Sequence, residues 1–124
     1  MNLIIDGRPI NIEKESITDK RFIRTYRSAG LVFVCKYMEY FLTNLQKFDY
    51  KEIKDIIIDE IYNEGKNFDV KRAGTNTRVY CLLKIIYSGR IQEILQIASN
   101  SKWLAKNKPE SIKIADNLLK RIVF

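Results

Sequence analysis

The sequence contains no histidine and only two cysteines. Histidine is the commonest general base and the commonest zinc ligand, so its absence excludes Ser-His and Cys-His nucleophile pairs and disfavours a zinc centre. The cysteines, Cys35 and Cys81, each lie inside an apolar run, which favours buried free thiols over a disulfide. We therefore expect no catalytic residue, no metal and no cofactor, and a reducing cytoplasm as the compartment.

Long hydrophobic runs are also lacking. The longest, Leu31 to Cys35, stops at Lys36 and is far too short to span a bilayer. The first residues have neither the basic segment nor the long apolar core of a signal peptide. These features predict a soluble protein without a membrane partner.

Turn-forming residues are scarce, with five glycines and two prolines in 124 residues, which favours long helices. We predict a mainly α fold: a single domain over 1–124 with about five helices in a compact bundle or orthogonal packing. An Asp6-Gly7 turn signal between apolar runs predicts a short N-terminal β-hairpin over 1–12. Apolar periodicity predicts helices over 18–47, 50–64, 75–88, 90–99 and 109–123.

Within the first predicted helix, Gly30 marks either a break or a point of close packing between helices. Residues 31–45 are apolar nearly all round, which indicates a central buried helix. That helix exposes too many apolar sides for a small monomer, and an isolated two-stranded ribbon is marginal. Both features predict a homodimer.

The formal net charge of +7 is unevenly distributed. Residues 18–47 carry six cations and two anions, and residues 66–90 carry six cations and one anion. Residues 48–65 carry two cations and six anions. This pattern predicts a basic surface with one acidic face, suited to nucleic acid, an acidic protein or anionic lipid.

The basic segment Lys71–Arg78 stands between two apolar helical patterns and predicts a loop that opens a helix at Thr75 or Asn76. Free N–H groups and the macrodipole at a helix start favour an anion such as phosphate, which the backbone N–H groups of residues 75–77 would bind here. One glycine and no Gly-Lys-Ser/Thr ending exclude a P-loop. The competing interpretation is a capped loop whose cations keep it solvated. The candidate anion-binding residues are Lys71, Arg72, Thr75, Asn76 and Arg78.

A second basic feature is the row of cations Lys20, Arg21, Arg24 and Arg27. Three of them, Lys20, Arg24 and Arg27, share one helix face at i, i+4 and i+7. Such rows usually form a solvated surface. If folding places this row beside Lys71–Arg78, the two together could follow a nucleic-acid backbone.

The same region admits a helix-turn-helix, with a supporting helix over 51–64 and a recognition helix over 75–87. The connection from Gly65 to Gly74 is longer than the usual turn, and the supporting helix is acidic, so phosphate would be repelled. Both features disfavour this alternative.

Trp103, the only tryptophan, lies between Lys102 and Lys106. It could stack on a base or anchor a protein partner, since both roles use a flat, partly wet ring. Pinning its segment onto the core is the commoner role for a tryptophan in such a setting.

Four carboxylates followed by a lysine, Asp55, Asp59, Glu60, Glu64 and Lys66, suggest one enzymatic alternative. In a Mg²⁺-dependent nuclease, carboxylates hold the metal ion and a lysine assists the attacking water. The acids fall at helical spacing and can pair with Lys51 and Lys54. A solvated helix face is therefore the preferred interpretation.

The leading hypothesis is a small basic, non-enzymatic protein that binds nucleic acid or a nucleoprotein. Its phosphate contacts would come from Lys20, Arg24, Arg27, Lys71, Arg72 and Arg78. The alternative is an interaction module for an acidic protein, such as an adaptor, an inhibitor or a phage-encoded antagonist, with Trp103 as its anchor. DNA and RNA, and any sequence preference, stay open.

Overall fold

Seven α-helices and a three-stranded sheet form the part of the chain that the computed structural model describes, residues 1–65 and 68–124. The mainly α fold with an N-terminal hairpin is confirmed, with seven helices in place of about five. The helices are α1 (Asp19–Ala29), α2 (Leu31–Thr43), α3 (Lys51–Glu64), α4 (Arg72–Tyr87), α5 (Ile91–Ser99), α6 (Lys102–Asn107) and α7 (Pro109–Arg121). The strands are β1 (Asn2–Ile5), β2 (Arg8–Asn11) and β3 (Ile122–Val123), and a 3-10 helix covers Leu45–Asp49.

The helix predicted over 18–47 is broken in two at Gly30. Its backbone has a φ of +83°, in the left-handed region that favours glycine, and its N–H donates to the carbonyl of Tyr26 at 2.9 Å. A Cβ on Gly30 would lie 2.8 Å from Nη1 of Arg78. Gly30 is therefore both a break and a point of close packing.

Four other differences from the prediction concern helix boundaries. Helix α2 ends at Thr43 and not at 47, because a 3-10 helix follows over Leu45–Asp49. Helix α4 begins at Arg72, three residues before Thr75. Helix α6 was not predicted; it begins after Ser101, whose hydroxyl accepts a hydrogen bond from the N–H of Leu104 at 3.1 Å. The last helix ends at Arg121 because the next two residues pair with the sheet.

The sheet has the order β2-β1-β3, and both pairings are antiparallel. Ile5 pairs with Arg8 across the hairpin and with Ile122 of the C-terminal strand. Leu3, Ile5 and Ile10 are buried against the helices. The hairpin thus finds its third strand and its apolar cover within the same chain.

Helix α2 lies at the centre of the core and contacts α1, α4, α5 and α7. Phe33, Val34, Met38 and Phe41 are fully buried, and burying each such side chain contributes about 1.5–3 kcal/mol. Most of the apolar surface of the central helix is therefore covered within one chain, while Leu31 and Val32 are half-buried and Tyr40 is exposed. The hairpin has its third strand, and α2 has most of its cover, from the same chain. These two features therefore give little support to a homodimer, which stays a prediction.

The cysteines are free and buried, as predicted. Burial raises the pKa of Cys35 from its ordinary value of 9.0 to about 11 and raises the pKa of Cys81 in the same direction. A buried, protonated thiol is a poor nucleophile. Both cysteines are therefore packing residues.

Candidate nucleic-acid interface

The start of α4 does not present the predicted row of free amides. Lys71 is extended, with φ −124° and ψ 148°, and the helix begins at Arg72. The N–H of Gly74 already donates to the carbonyl of Lys71 at 3.0 Å. The N–H groups of residues 75–77 consequently lie within the helix, and the prediction that they are free to bind phosphate is wrong.

The carboxylate of Asp69 lies at this helix start. It accepts hydrogen bonds from the Thr75 hydroxyl and from Nε of Arg78, each at 3.1 Å. A Cβ on Gly74 would lie 2.6 Å from Oδ1 of Asp69, so the carboxylate packs directly on the first turn. An internal carboxylate thereby satisfies the preference of the helix dipole for an anion. The 2% exposure of Thr75 also removes that residue from any surface.

Arg78 is a structural residue that links three segments. Its guanidinium donates to the carbonyl of Ala29 at 2.6 Å, to the carbonyl of Phe68 at 3.3 Å and to Asp69. It also lies over the Phe68 ring, 5.7 Å from the centroid. The end of α1, the segment before α4 and α4 itself are held together here. Arg78 is therefore not open to a phosphate, contrary to the prediction.

Arg72 is neutralised by the acidic helix α3. It donates to the carboxylate of Asp59 and to the carbonyl of Asp55, the latter at 3.3 Å. These contacts raise the pKa of Arg72, chiefly through the hydrogen bond to Asp59. Lys71 and Asn76 remain exposed. Folding does bring the segment Lys71–Arg78 to the end of α1, but two of its three cations contact carboxylates of the chain itself.

The same contacts bear on the nuclease alternative. Asp55 and Asp59 face Arg72, and Glu64 lies 3.7 Å from Nζ of Lys36. Lys66 lies outside the described residues. Asp55, Asp59 and Glu64 thus have basic partners, but these are Arg72 and Lys36 from other helices. The predicted pairing with Lys51 and Lys54 along α3 is not among the ion pairs of the described residues.

The row Lys20, Arg21, Arg24 and Arg27, here named the α1 basic row, is organised differently. All four side chains are exposed. Phe22 and Ala29, on the opposite face of α1, are buried in the core. The acidic residue of α1, Asp19, is bound by Arg90 at 2.7 Å. In residues 1–65 and 68–124, no carboxylate lies within 4 Å of any cation in the row.

Two shallow depressions follow the α1 basic row. One, of about 430 Å³, is lined by Lys20, Arg24, Arg27 and Ser28. The other, of about 460 Å³, is lined by Lys20, Arg21 and Arg24 and by the nearby residues Thr18, Thr25 and Ser28. Cys81 of the neighbouring helix α4 completes its lining. Seven residues of helix separate Lys20 from Arg27, a rise of about 10 Å. The row is therefore an open, unneutralised positive surface.

Trp103 does not pin its segment onto the core. Its side chain is 61% exposed, and the neighbouring Leu104, at 0%, supplies the core contact of α6. Trp103 lines a groove of about 800 Å³ that also includes Arg27 from the α1 basic row. Sequence reasoning singled out Trp103 but missed the groove, because its walls come from residues 26 to 114.

In the described part of the chain, no three His, Cys, Asp or Glu side chains are grouped so as to hold a metal ion. Across these same residues, no helix has both the length and the apolar character needed to cross a membrane. In comparisons with known proteins, the chain matches no family model, no curated protein and no solved structure. Function is therefore inferred from the geometry and charge of the surface.

Proposed function

We propose that this protein is a small, non-enzymatic nucleic-acid-binding protein that contacts phosphates through the α1 basic row. The supporting observation is a contrast between two sets of cations. Four arginines elsewhere are paired with carboxylates of the same chain: Arg72, Arg78, Arg90 and Arg121. The row on α1 has no such partners among the described residues, although it is the densest group of cations on one helix.

The mechanism is electrostatic. Guanidinium and ammonium groups form charge-assisted hydrogen bonds with phosphate oxygens and release condensed counterions. With four contacts, affinity should fall roughly 50- to 150-fold between 50 and 200 mM salt, the smaller value applying to single strands. Phosphate contacts carry no base information, so little sequence preference is expected.

The test compares two triple variants that change the net charge equally. In the first, Lys20, Arg24 and Arg27 are replaced by glutamine. In the control, the exposed residues Lys51, Lys113 and Lys120, which lie outside the row, are replaced by glutamine. Binding to labelled DNA and RNA is measured by fluorescence anisotropy over a range of salt.

The first variant should bind far more weakly and lose roughly 2–3 units of salt slope, in proportion to the phosphate contacts removed. The control should keep a slope close to that of the unmodified protein. The proposal is wrong if the unmodified protein binds neither polymer at about 50 mM salt. It is equally wrong if the two triple variants lose the same affinity and slope.

A second candidate is an interaction module for an acidic protein, such as an adaptor, an inhibitor or a phage-encoded antagonist. The observation that favours it is the exposed Trp103 beside the α1 basic row, since aromatic and arginine side chains dominate protein interfaces. Affinity purification at moderate salt, with and without nuclease, separates the two functions. A protein complex persists after nuclease treatment, whereas material bridged by nucleic acid is lost.

A further inference from the structure

We infer that the groove beside Trp103 holds unpaired bases of a single-stranded nucleic acid whose phosphates lie on the α1 basic row. This inference rests on the proposed function and adds the class of ligand. It also assigns a role to the groove, which the phosphate contacts alone do not use.

The α1 basic row and the groove beside Trp103 form one continuous surface, which provides the first step. Arg27 lines the depression that contains Lys20 and Arg24, and it also lines the groove that contains Trp103. A polyanion that follows α1 toward its C-terminal end therefore arrives at the mouth of the groove. One strand can contact both surfaces without a break.

The setting of Trp103 provides the second step. The backbone of α6 is held by the Ser101 cap, by the buried Leu104 and by a hydrogen bond from the Asn107 amide to the Trp103 carbonyl at 2.9 Å. Trp103 as a whole residue is 61% exposed. A flat ring on a fixed helix is a platform on which a base can stack, and such stacking is tolerant of base identity.

The wall of the groove provides the third step. Leu31, Val32 and Ile114 contribute apolar surface beside Trp103, and Ile114 is 38% exposed. Base faces are apolar and are available only when they are not stacked inside a duplex. The groove therefore favours a single strand over a double helix.

Charge at the rim provides the fourth step. Lys36 and Lys108 line the groove together with Arg27, and its acidic residues are Glu64 and Glu110. Glu64 is engaged by Lys36 at 3.7 Å. With Lys36 and Glu64 offsetting each other, Arg27 and Lys108 face the single carboxylate of Glu110. This small excess of positive charge complements a polyanion, and Lys108 adds one phosphate contact beyond those on α1.

The test uses Trp103 as its own reporter, because it is the only tryptophan. The full chain is titrated with a thymidine single strand of about 16 nucleotides and with a duplex of the same length, at equal salt. The single strand should quench the tryptophan fluorescence. The duplex should bind the α1 basic row more weakly and leave the fluorescence nearly unchanged.

Variants then separate stacking from charge. Trp103→Ala should lower single-strand affinity roughly 10- to 100-fold, which corresponds to one stacked base, and should leave duplex affinity unchanged. Trp103→Phe should retain most of the affinity. Tyr50→Ala is the matched control, because Tyr50 is also 61% exposed but lies outside the groove, and it should change neither affinity. Circular dichroism confirms that each variant is folded.

The outcomes distinguish the two proposals. If neither oligonucleotide binds at about 50 mM salt, the proposed function fails and this inference fails with it. If both bind through the α1 basic row but Trp103→Ala leaves single-strand affinity unchanged, only this inference is overturned. Quenching by an acidic amphipathic peptide, without quenching by the single strand, would make the groove a protein-docking site and also overturns it.

Discussion

Replacing Arg78 by alanine should destabilise the fold far more than replacing any cation of the α1 basic row. The substitution removes the hydrogen bonds from the guanidinium to the carbonyls of Ala29 and Phe68, and the contact with the Phe68 ring. It also leaves Asp69, whose side chain is only 13% exposed, without its cation. An uncompensated, partly buried carboxylate is the most costly of these consequences.

The magnitude follows from burial. Breaking a fully buried ion pair costs about 3–5 kcal/mol. Water reaches the Arg78 side chain, which is 24% exposed, and screens part of the charge. We therefore expect a loss of about 2–4 kcal/mol in the free energy of unfolding, a large part of the total for a domain of this size. The melting temperature should fall by on the order of 10 °C.

Urea unfolding followed by circular dichroism measures this effect. A double-mutant cycle that combines Arg78→Ala with Asp69→Ala should give a coupling of about 1–3 kcal/mol. The comparison cycle joins Arg72 to Asp59, whose side chains are 42% and 56% exposed, and should give less than about 1 kcal/mol. Arg24→Ala serves as the exposed control and should change stability by no more than about 0.5 kcal/mol.

The reasoning is refuted if Arg78→Ala costs no more than Arg24→Ala. It is also refuted if the two cycles give equal couplings, since burial would then have no bearing on the strength of the pair. In the first case Arg78 is not needed to hold α1 against α4. The sequence-based prediction that Arg78 binds phosphate would then be open again.

Three further predictions concern pH and thiol chemistry. Hydrogen bonds from Arg121 lower the pKa values of Glu39 and Asp6 from 4.5 and 3.8. Their contribution to stability is therefore complete above about pH 5 and is lost as the pH falls through the lowered values. Arg121→Ala should flatten the acid limb of a stability–pH curve between about pH 5 and 3, and an unchanged limb would contradict this. For Cys35, whose pKa burial raises to about 11, stability should fall as the pH rises from 9.0, because the unfolded thiol ionises first. In Cys81→Ser, a disulfide reagent should modify Cys35 only in denaturant, and rapid modification of the native protein would contradict its burial.

Local patterns in the sequence were sufficient for several elements. The prediction over 50–64 agrees with α3, Lys51–Glu64, because its apolar residues recur with the helical period. The Asp6-Gly7 turn produced the expected hairpin. The start of α4 was misplaced because Thr75 and Asn76 resemble capping residues, whereas Lys71, the residue before the helix, makes no side-chain cap. The signal that could have corrected this was Asp69, an acidic residue just ahead of a helix start.

The sequence alone determined most of the helical segments and the shared face of the α1 cations, because both depend on residues within a turn or two of one another. Tertiary structure decided which cations remain available. Arg72 meets Asp59 across 13 residues, Arg78 meets Ala29 across 49, and Arg121 meets Asp6 across 115. Such pairs form only when packing of the apolar faces brings distant segments together. Local spacing therefore revealed the basic row on α1, and only the folded chain revealed the pairing of Arg72 and Arg78 with carboxylates.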